Sequence, residues 1–169
     1  MNKGASLTSR ELAVDGLLSA VLLVSQVSLS WIANVELVSL LLILYALVFR
    51  KHVWLILYVF IVLEGLIYGF GLWWFSYLYV WIPLPAAALL FWKDRPPKTF
   101  GIALLSGCFG LLFGLLCSVS YLITGGPGAA FAWWSAGIPF DIVHGAGNFV
   151  LALVLFQPLY RLLTALKRV

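Results

Sequence analysis

Charged residues are scarce in this sequence of 169 residues. Asp, Glu, Lys and Arg make up 9% of the chain, whereas 64% is hydrophobic and the mean hydropathy is +1.10. A soluble domain carries about 25% charged residues. The scarcity therefore excludes a soluble globular protein and predicts an all-α integral membrane protein.

Cysteine and histidine are also rare, with two of each. Cys108 and Cys117 lie in one apolar run, and steps of ~100° per residue place them on opposite faces of a helix. They predict neither a disulfide nor a metal site, and no cofactor is expected. His52 adjoins Arg50 and Lys51, so we interpret it as a solvated side chain at the membrane boundary.

Motifs of nucleotide hydrolysis and of common hydrolases are missing. The chain has no P-loop, no His-Glu-x-x-His helix and no Gly-x-Ser-x-Gly elbow. It therefore cannot hydrolyse ATP through a P-loop, and we predict that it is not an enzyme. The net charge of +4 is accounted for by orientation in the membrane, so no nucleic-acid partner is predicted.

The ten Lys and Arg residues are confined to four clusters. Short cytoplasmic loops of membrane proteins hold the excess of Lys and Arg, and here cation-rich and cation-free connections alternate. The pattern predicts a compact bundle of six transmembrane helices, in one domain over residues 1–169, with both termini cytoplasmic. The clusters are Lys3 and Arg10; Arg50 and Lys51; Lys93, Arg95 and Lys98; and Arg161, Lys167 and Arg168.

Local signals place the six helices. Thr8 and Glu11 form a capping-box sequence before the first helix, and Pro83 and Pro85 predict a bend in the fourth. The cation-free turns, near Asn34, near Gly71 and over 124–135, are expected to face outward. The expected helices are Ser9 to Ser30, Asn34 to Phe49, Val53 to Gly69, Trp74 to Trp92, Phe100 to Ile123 and Gly137 to about Leu163.

Polar residues recur in the outer halves of helices three and six. Asp141, His144 and Asn148 share one face of helix six, at depths of roughly 6, 10 and 16 Å. Glu64 and Tyr68 share one face of helix three, and Glu64 is expected in the layer of His144. Ionisable groups at membrane depth mark a pathway, a pair or a ligand site. A pair of Glu64 with His144 or Asn148 that only locks the bundle is the alternative.

Aromatic residues cluster at the outward turns. Their rings can stack on a heterocycle or attract a cation, although an anchoring belt at the membrane boundary is the alternative. Asn34 and Glu36 are expected to line the edge of the first turn. The glycine-rich segment 125–130 is interpreted either as a lid or as an ordinary exposed loop. The aromatic residues predicted to stack or to close the site are Trp73, Trp74, Tyr77, Trp133 and Trp134.

Two stripes of small residues suggest close helix packing. On helix five, a residue with a small side chain recurs every four positions, which predicts an internal contact. On helix one, Gly16 and Ala20 repeat the spacing beside Ala13, and this seam is either internal or docks a partner helix. The helix-five stripe consists of Ser106, Gly110, Gly114 and Ser118.

The segment Gly137-Ile-Pro-Phe-Asp-Ile-Val-His-Gly-Ala-Gly-Asn148, together with the six short helices and the helix-one seam, resembles the substrate-binding S components of energy-coupling factor (ECF) transporters. The resemblance covers nearly the whole chain. It implies a multi-pass subunit of the bacterial plasma membrane that captures a vitamin or a related micronutrient from outside. It also implies delivery through a transmembrane coupling protein and two ATPase subunits.

The resemblance also implies roles for individual residues. S components carry a small-x-x-x-small motif on helix one that meets the coupling protein; Gly16 and Ala20 match its spacing, with Gly in place of the more usual Ala. Thiamine-type binders use an acid with His, Asn and Trp near the outer face. A similar set is formed by Glu64, His144, Asn148 and Trp133.

The residues favour capture of a small nitrogen heterocycle that can carry positive charge. Glu64 and Asp141 would offer charge or accept hydrogen bonds, while His144 and Asn148 would fix the ligand's orientation. Two alternatives stay open. Asp141 and His144 could act as an acid and base pair on a lipid or isoprenoid, or the protein could be a small-molecule sensor.

Overall fold

The computed structural model describes residues 7–93 and 95–167, which are all-α, with no β-strand among them. The predicted all-α class is therefore confirmed. Lys3 and Arg168, two of the cations used to predict orientation, lie outside the described residues. The helices are α1 Ser9–Leu29, α2 Val38–Phe49, α3 His52–Tyr68, α4 Leu72–Val80, α5 Pro83–Phe91 and α6 Thr99–Lys167.

The first helix begins at the predicted capping box. The Glu11 backbone N–H donates to Thr8 Oγ1 at 3.2 Å, and the Thr8 backbone N–H donates to Glu11 Oε2 at 2.8 Å. These bonds satisfy two backbone donors that a helix N-terminus would otherwise leave without partners. The sequence signal therefore identified the true start of α1.

The predicted bend at the prolines is a break between α4 and α5. Pro83 is the first residue of α5, where its missing N–H costs no hydrogen bond within the helix. Trp81 and Ile82 connect the two helices, and together α4 and α5 form one interrupted apolar span, Leu72–Phe91. The bend predicted from Pro83 is confirmed.

The last two predicted helices form one helical stretch, α6. Its only non-helical residue is Gly126, whose φ of 78° and ψ of −177° reverse the chain; glycine adopts such a φ without steric cost. The first arm, 99–125, and the second arm, 127–167, run antiparallel, and Tyr121 stacks on Trp133 across them at 4.0 Å. Counted as continuous stretches over the described ranges, with α4 and α5 taken as one span, the helices number five and not the predicted six, because the fifth and sixth predicted helices are the two arms of α6. Residues 124–135, predicted as a turn, are helical apart from Gly126.

Small residues bring the two arms of α6 into backbone contact. A Cβ atom added at Gly110 would lie 2.8 Å from the Gly145 backbone, and one added at Gly107 would lie 3.2 Å from the Gly145 carbonyl oxygen. No larger residue fits at Gly110 without moving a helix. The internal packing predicted for the helix-five stripe is confirmed.

The core is centred on the short helix α2. Ten of its 12 residues are buried, and Leu42, Ile43 and Leu44 are fully enclosed. Three stretches are long and apolar enough to cross a membrane by length and composition: Ser9–Leu29, Leu72–Phe91 and Thr99–Lys167. The apolar helices α2 and α3 are shorter. This architecture is that of a helical membrane bundle with one buried central helix.

The cation-bearing connections meet at one end of the bundle, which we call the basic end. An Arg50 guanidinium nitrogen donates to the Lys93 carbonyl oxygen at 2.8 Å, and Lys167 Nζ donates to the Val48 carbonyl oxygen at 2.6 Å. The basic end thus joins the end of α2, the connection after α5 and the end of α6. Its assignment to the cytoplasm stays a prediction.

His52 at the basic end is not the solvated side chain expected from its neighbours. Its Nδ1 lies 2.9 Å from Asp15 Oδ2, and its Nε2 lies 3.8 Å from Glu11 Oε1. Asp15 is only 2% exposed, and a buried carboxylate needs such a partner. The interpretation of His52 was wrong because spacing along the chain could not reveal that α1 and α3 pack side by side.

We expect His52→Ala to lower the unfolding temperature of the protein in detergent. The substitution leaves the Asp15 carboxylate buried without its partner, which costs about 1–3 kcal/mol. In the Asp15→Ala/His52→Ala double variant the two losses should be far from additive. Lys51→Ala, an exposed neighbour, is the control. Additive losses in thermal unfolding would show that the pair contributes nothing.

Candidate functional site

A cavity of about 250 Å³ lies at the end of the bundle opposite the basic end. The connection between α1 and α2 forms one wall, and α4 and both arms of α6 supply side chains. We call it the outer cavity. Its lining includes Gln26, Leu29, Ser30, the stretch 32–36, Tyr77, Trp81, Phe113 and His144.

Four of the predicted site residues meet in the outer cavity: Asn34, Glu36, Tyr77 and His144. They come from three separate parts of the chain, so the structure brings together what the sequence only placed at a similar depth. The sequence analysis missed Gln26, a polar residue within an apolar helix. The rule that polar groups at membrane depth mark functional sites, which singled out Glu64, applies to Gln26 as well.

The connection before α2 aims Glu36 into the bundle. Asn34 adopts a φ of 59°, a left-handed conformation that Asn tolerates better than most residues. Glu36 Oε2 then accepts a 2.8 Å hydrogen bond from the Ser39 backbone N–H in the first turn of α2. Glu36 thereby satisfies a free donor of the helix N-terminus and complements the helix dipole.

His144 on the second arm of α6 is held by the same carboxylate. Its Nε2 lies 3.2 Å from Glu36 Oε1, and its ring meets Phe113 edge-on at 5.0 Å between centroids. One turn further along, Asn148 Nδ2 donates to Ser39 Oγ at 3.0 Å. The alternative pairing of Glu64 with His144 or Asn148 is therefore wrong, because Glu36 and Ser39 supply the partners.

The buried carboxyl group of Glu36 is stabilised in its ionised form by hydrogen bonds. Burial raises the pKa of its carboxyl group, but the hydrogen bonds from His144 and Ser39 together hold that pKa below its usual value. Each of the two carboxyl oxygens of Glu36 thus already accepts one hydrogen bond from within the protein.

Two polar atoms in the lining lack partners among residues 7–93 and 95–167. Trp81 is 1% exposed, and its Nε1–H donates to nothing. Gln26 Oε1 is likewise buried and accepts nothing. A buried polar atom without a partner costs about 1–3 kcal/mol. Two residues of the lining thus carry one donor and one acceptor that form no hydrogen bond within the described part of the chain.

Three aromatic rings pack together in the outer cavity, and we call them the aromatic cluster. Trp81 lies 5.6 Å from Tyr77 and 5.4 Å from Phe113, between ring centroids. Trp81 sits at the break between α4 and α5. The proline signal predicted that break, but not that it would place an indole against the cavity.

The four Trp residues that were predicted to stack on the ligand or to close the site do not cover the outer cavity. None of Trp73, Trp74, Trp133 and Trp134 lines the outer cavity. Trp74 Nε1 donates to the Ile61 carbonyl oxygen at 2.8 Å, so it closes the contact between α3 and α4. The other indoles pack against aromatic neighbours: Trp73 on Tyr68 and Tyr77, Trp133 on Tyr121, and Trp134 on Phe131. Tyr68 is 49% exposed and also lies outside the lining.

Glu64 and Asp141 are buried, but they do not line the outer cavity. Asp141 Oδ1 accepts a 2.9 Å hydrogen bond from the Gly114 backbone N–H of the opposite arm. Glu64 Oε1 has no partner in the part of the chain that the structure describes. The pairing of Asp141 with His144 required by the enzyme alternative is not formed, because Glu36 holds the imidazole.

The segment 125–130 does not form a lid. It is helical on both sides of Gly126, makes the corner of the α6 hairpin and contributes no residue to the lining of the outer cavity. Both readings of these glycines as a loop were wrong. The reason is that one glycine with a positive φ reverses the chain without a longer turn.

The small-residue seam of α1 faces away from the rest of the bundle. Ala13 and Gly16 are exposed, and a Cβ atom added at Gly16 would meet nothing within 4 Å. Ala20 is half-buried. Of the two readings of this seam, internal packing at Gly16 is therefore excluded.

The arrangement is suited to holding a ligand by hydrogen bonds and ring contacts. Among the described residues no three His, Cys, Asp or Glu side chains are placed to bind a metal ion. No protein-family model, curated protein or solved structure matches this chain. Its function is therefore inferred from the geometry of the outer cavity and from the exposed seam of α1.

Proposed function

We propose that this protein is a membrane-embedded substrate-capture subunit of the kind found in ECF-type importers. It binds a small water-soluble micronutrient in the outer cavity and releases it through a partner assembly. The observation that carries this proposal is that Trp81 and Gln26, which both line the outer cavity, each hold a buried polar atom without a partner in the described part of the chain.

The ligand is smaller than a typical drug molecule. Ligand pockets usually enclose about 300–1,000 Å³, and the outer cavity is about 250 Å³. A molecule built on a single ring fits this volume. It carries an acceptor for the Trp81 N–H and a donor for the Gln26 oxygen, as an amide or a nitrogen heterocycle does.

A positive charge on the ligand is no longer required. The Glu36 carboxylate is occupied by His144 and by Ser39, and the rings of Tyr77, Trp81 and Phe113 offer apolar surface. A neutral ring packs on this surface without needing a counter-charge. Asn34 at the rim supplies further hydrogen-bonding groups.

The proposed setting is the bacterial plasma membrane, with the basic end in the cytoplasm. Cytoplasmic connections carry the excess of Lys and Arg, and the outer cavity lies at the opposite end of the bundle. A micronutrient would thus enter from outside the cell.

Energy for uptake would come from partners. The chain has no P-loop, so accumulation of the ligand requires a transmembrane coupling protein and two ATPase subunits. The proposed docking surface is the seam of Ala13, Gly16 and Ala20. Small residues allow a partner helix to approach closely, and Gly16 faces open space.

Gly16→Leu tests this function by separating uptake from binding. We expect cells that carry the variant and its coupling partners to lose uptake of the bound micronutrient. The purified variant should bind that compound with unchanged affinity, because Gly16 lies away from the outer cavity. Radiolabelled uptake and calorimetric titration measure the two quantities.

Gly137→Leu is the matched control, because a Cβ atom there also meets nothing within 4 Å. Uptake should persist in this variant. Full uptake by Gly16→Leu would contradict the docking role. A protein that binds its ligand but supports no uptake, even as wild type with its partners, would instead be a sensor.

A further inference from the structure

A second cavity, of about 380 Å³, opens at the basic end of the bundle. It lies between the end of α2, the connection after α5 and the second arm of α6. We call it the basic cavity. The lining residues that matter here are Arg50, Lys93 and Arg95, together with Trp92, Gln157 and Tyr160.

The lining of the basic cavity carries three positive charges. Within the described residues it includes no Asp or Glu, and Asp94 lies outside them. Arg50 donates through one guanidinium nitrogen to the Lys93 carbonyl oxygen at 2.8 Å. Since a guanidinium has five N–H donors, Arg50 has further donors that form no hydrogen bond with the described residues.

The backbone of Arg50 is held in an unfavourable conformation. Its φ is 57° and its ψ is −123°, a region that residues with a Cβ rarely occupy. Such a conformation costs about 1–3 kcal/mol and persists only where the surroundings impose it. Here it ends α2 and sends the Arg50 side chain toward the connection after α5.

The basic cavity also has an apolar side. Trp92 and Tyr160 belong to its lining, and Tyr160 stacks on the buried Phe156 at 5.4 Å. The cavity lies near the ends of the helices, and in a bundle that spans a membrane this level faces the lipid headgroups. Cations combined with amphipathic rings at this level match a phosphate group joined to an apolar body.

We propose that the basic cavity binds a phosphate-bearing anion, presented as the headgroup of an anionic phospholipid. The phosphate lies among Arg50, Lys93 and Arg95, and the lipid's apolar part packs against Trp92 and Tyr160. This site is independent of the outer cavity and of the ligand bound there. A general attraction to the membrane would involve every cation at the basic end, whereas this site involves only Arg50, Lys93 and Arg95.

The test is native mass spectrometry of the purified protein titrated with phosphatidylglycerol, phosphatidylcholine or sodium phosphate. Wild type should take up one phosphatidylglycerol per chain in a saturable manner, in preference to phosphatidylcholine. Lys93→Gln/Arg95→Gln should bind it roughly 25-fold more weakly, on the scale of about fivefold per cation. Both side chains are exposed, so the fold should be kept, and the unfolding temperature verifies this.

Arg10→Gln/Lys98→Gln is the matched control, since it removes the same charge from the basic end but from outside the cavity lining. Its affinity should stay within about twofold of wild type. An equal loss in both double variants would overturn the site in favour of diffuse attraction. Saturable binding of sodium phosphate without preference for the lipid, lost only in Lys93→Gln/Arg95→Gln, would support the anion site and assign it to free phosphate.

If Lys93→Gln/Arg95→Gln unfolds, Arg95→Gln alone serves as the second variant. It should lose about fivefold in affinity. Unchanged affinity in that folded variant would also overturn the proposal.

Discussion

Gly110→Val should prevent the two arms of α6 from packing and should destabilise the protein. A Cβ atom at position 110 would lie 2.8 Å from the Gly145 backbone. The clash is with backbone atoms, which cannot move away by a change of side-chain rotamer. The two arms must therefore separate. Overpacking of this kind costs about 1–3 kcal/mol and occasionally more. Thermal unfolding in detergent would measure the loss.

The control for this prediction is Gly137→Val, in the second arm of the same helix. Nothing lies within 4 Å of a Cβ atom at that position, so its unfolding temperature should be close to that of wild type. Separation of the arms would also withdraw His144 from Glu36 and open the outer cavity. Equal stability of the two variants would refute the close contact between the arms.

Trp81→Phe should weaken ligand binding by roughly tenfold to a hundredfold, on the scale of about 1–3 kcal/mol for a buried hydrogen bond. The substitution keeps an aromatic ring in the cluster with Tyr77 and Phe113 but removes the indole N–H. Because that N–H has no partner in the described part of the chain, the empty protein loses no hydrogen bond. Calorimetric titration gives the affinity.

Trp74→Phe is the matched substitution with the opposite expectation. Trp74 donates its indole N–H to the Ile61 carbonyl oxygen and does not line the outer cavity. This variant should unfold at a lower temperature and still bind the ligand. The two variants thus separate a hydrogen bond made to the ligand from one made within the protein. If Trp74→Phe lost more affinity than Trp81→Phe, the assigned roles would be reversed.

Two kinds of signal predicted much of the fold. The capping box at Thr8 and Glu11 and the break before Pro83 depend on local chemistry. The gathering of cations at one end follows from a rule about the whole chain. Neither kind of signal predicted that the last two helices join into one continuous stretch. A single glycine, Gly126, reverses α6 where a longer turn was expected.

The candidate site was predicted only in part, for a geometric reason. Counting residues along a helix gives the depth of a side chain. It placed His144 at the end of the bundle where the outer cavity lies. It does not give the direction in which a helix faces its neighbours. Glu64 and Glu36 were both available acids, and only the packing of α2 against α6 decides that Glu36 holds His144. The same limitation hid the pairing of His52 with Asp15.

The central claim is that the outer cavity holds one small polar molecule through the Trp81 N–H. Native mass spectrometry of the wild-type and Trp81→Phe proteins, each exposed to a panel of vitamins and their precursors, tests it most directly. We expect one compound to add to wild type at one molecule per chain and to be largely lost from the variant. A wild-type protein that takes up nothing, or an adduct equally abundant in both proteins, would contradict the claim.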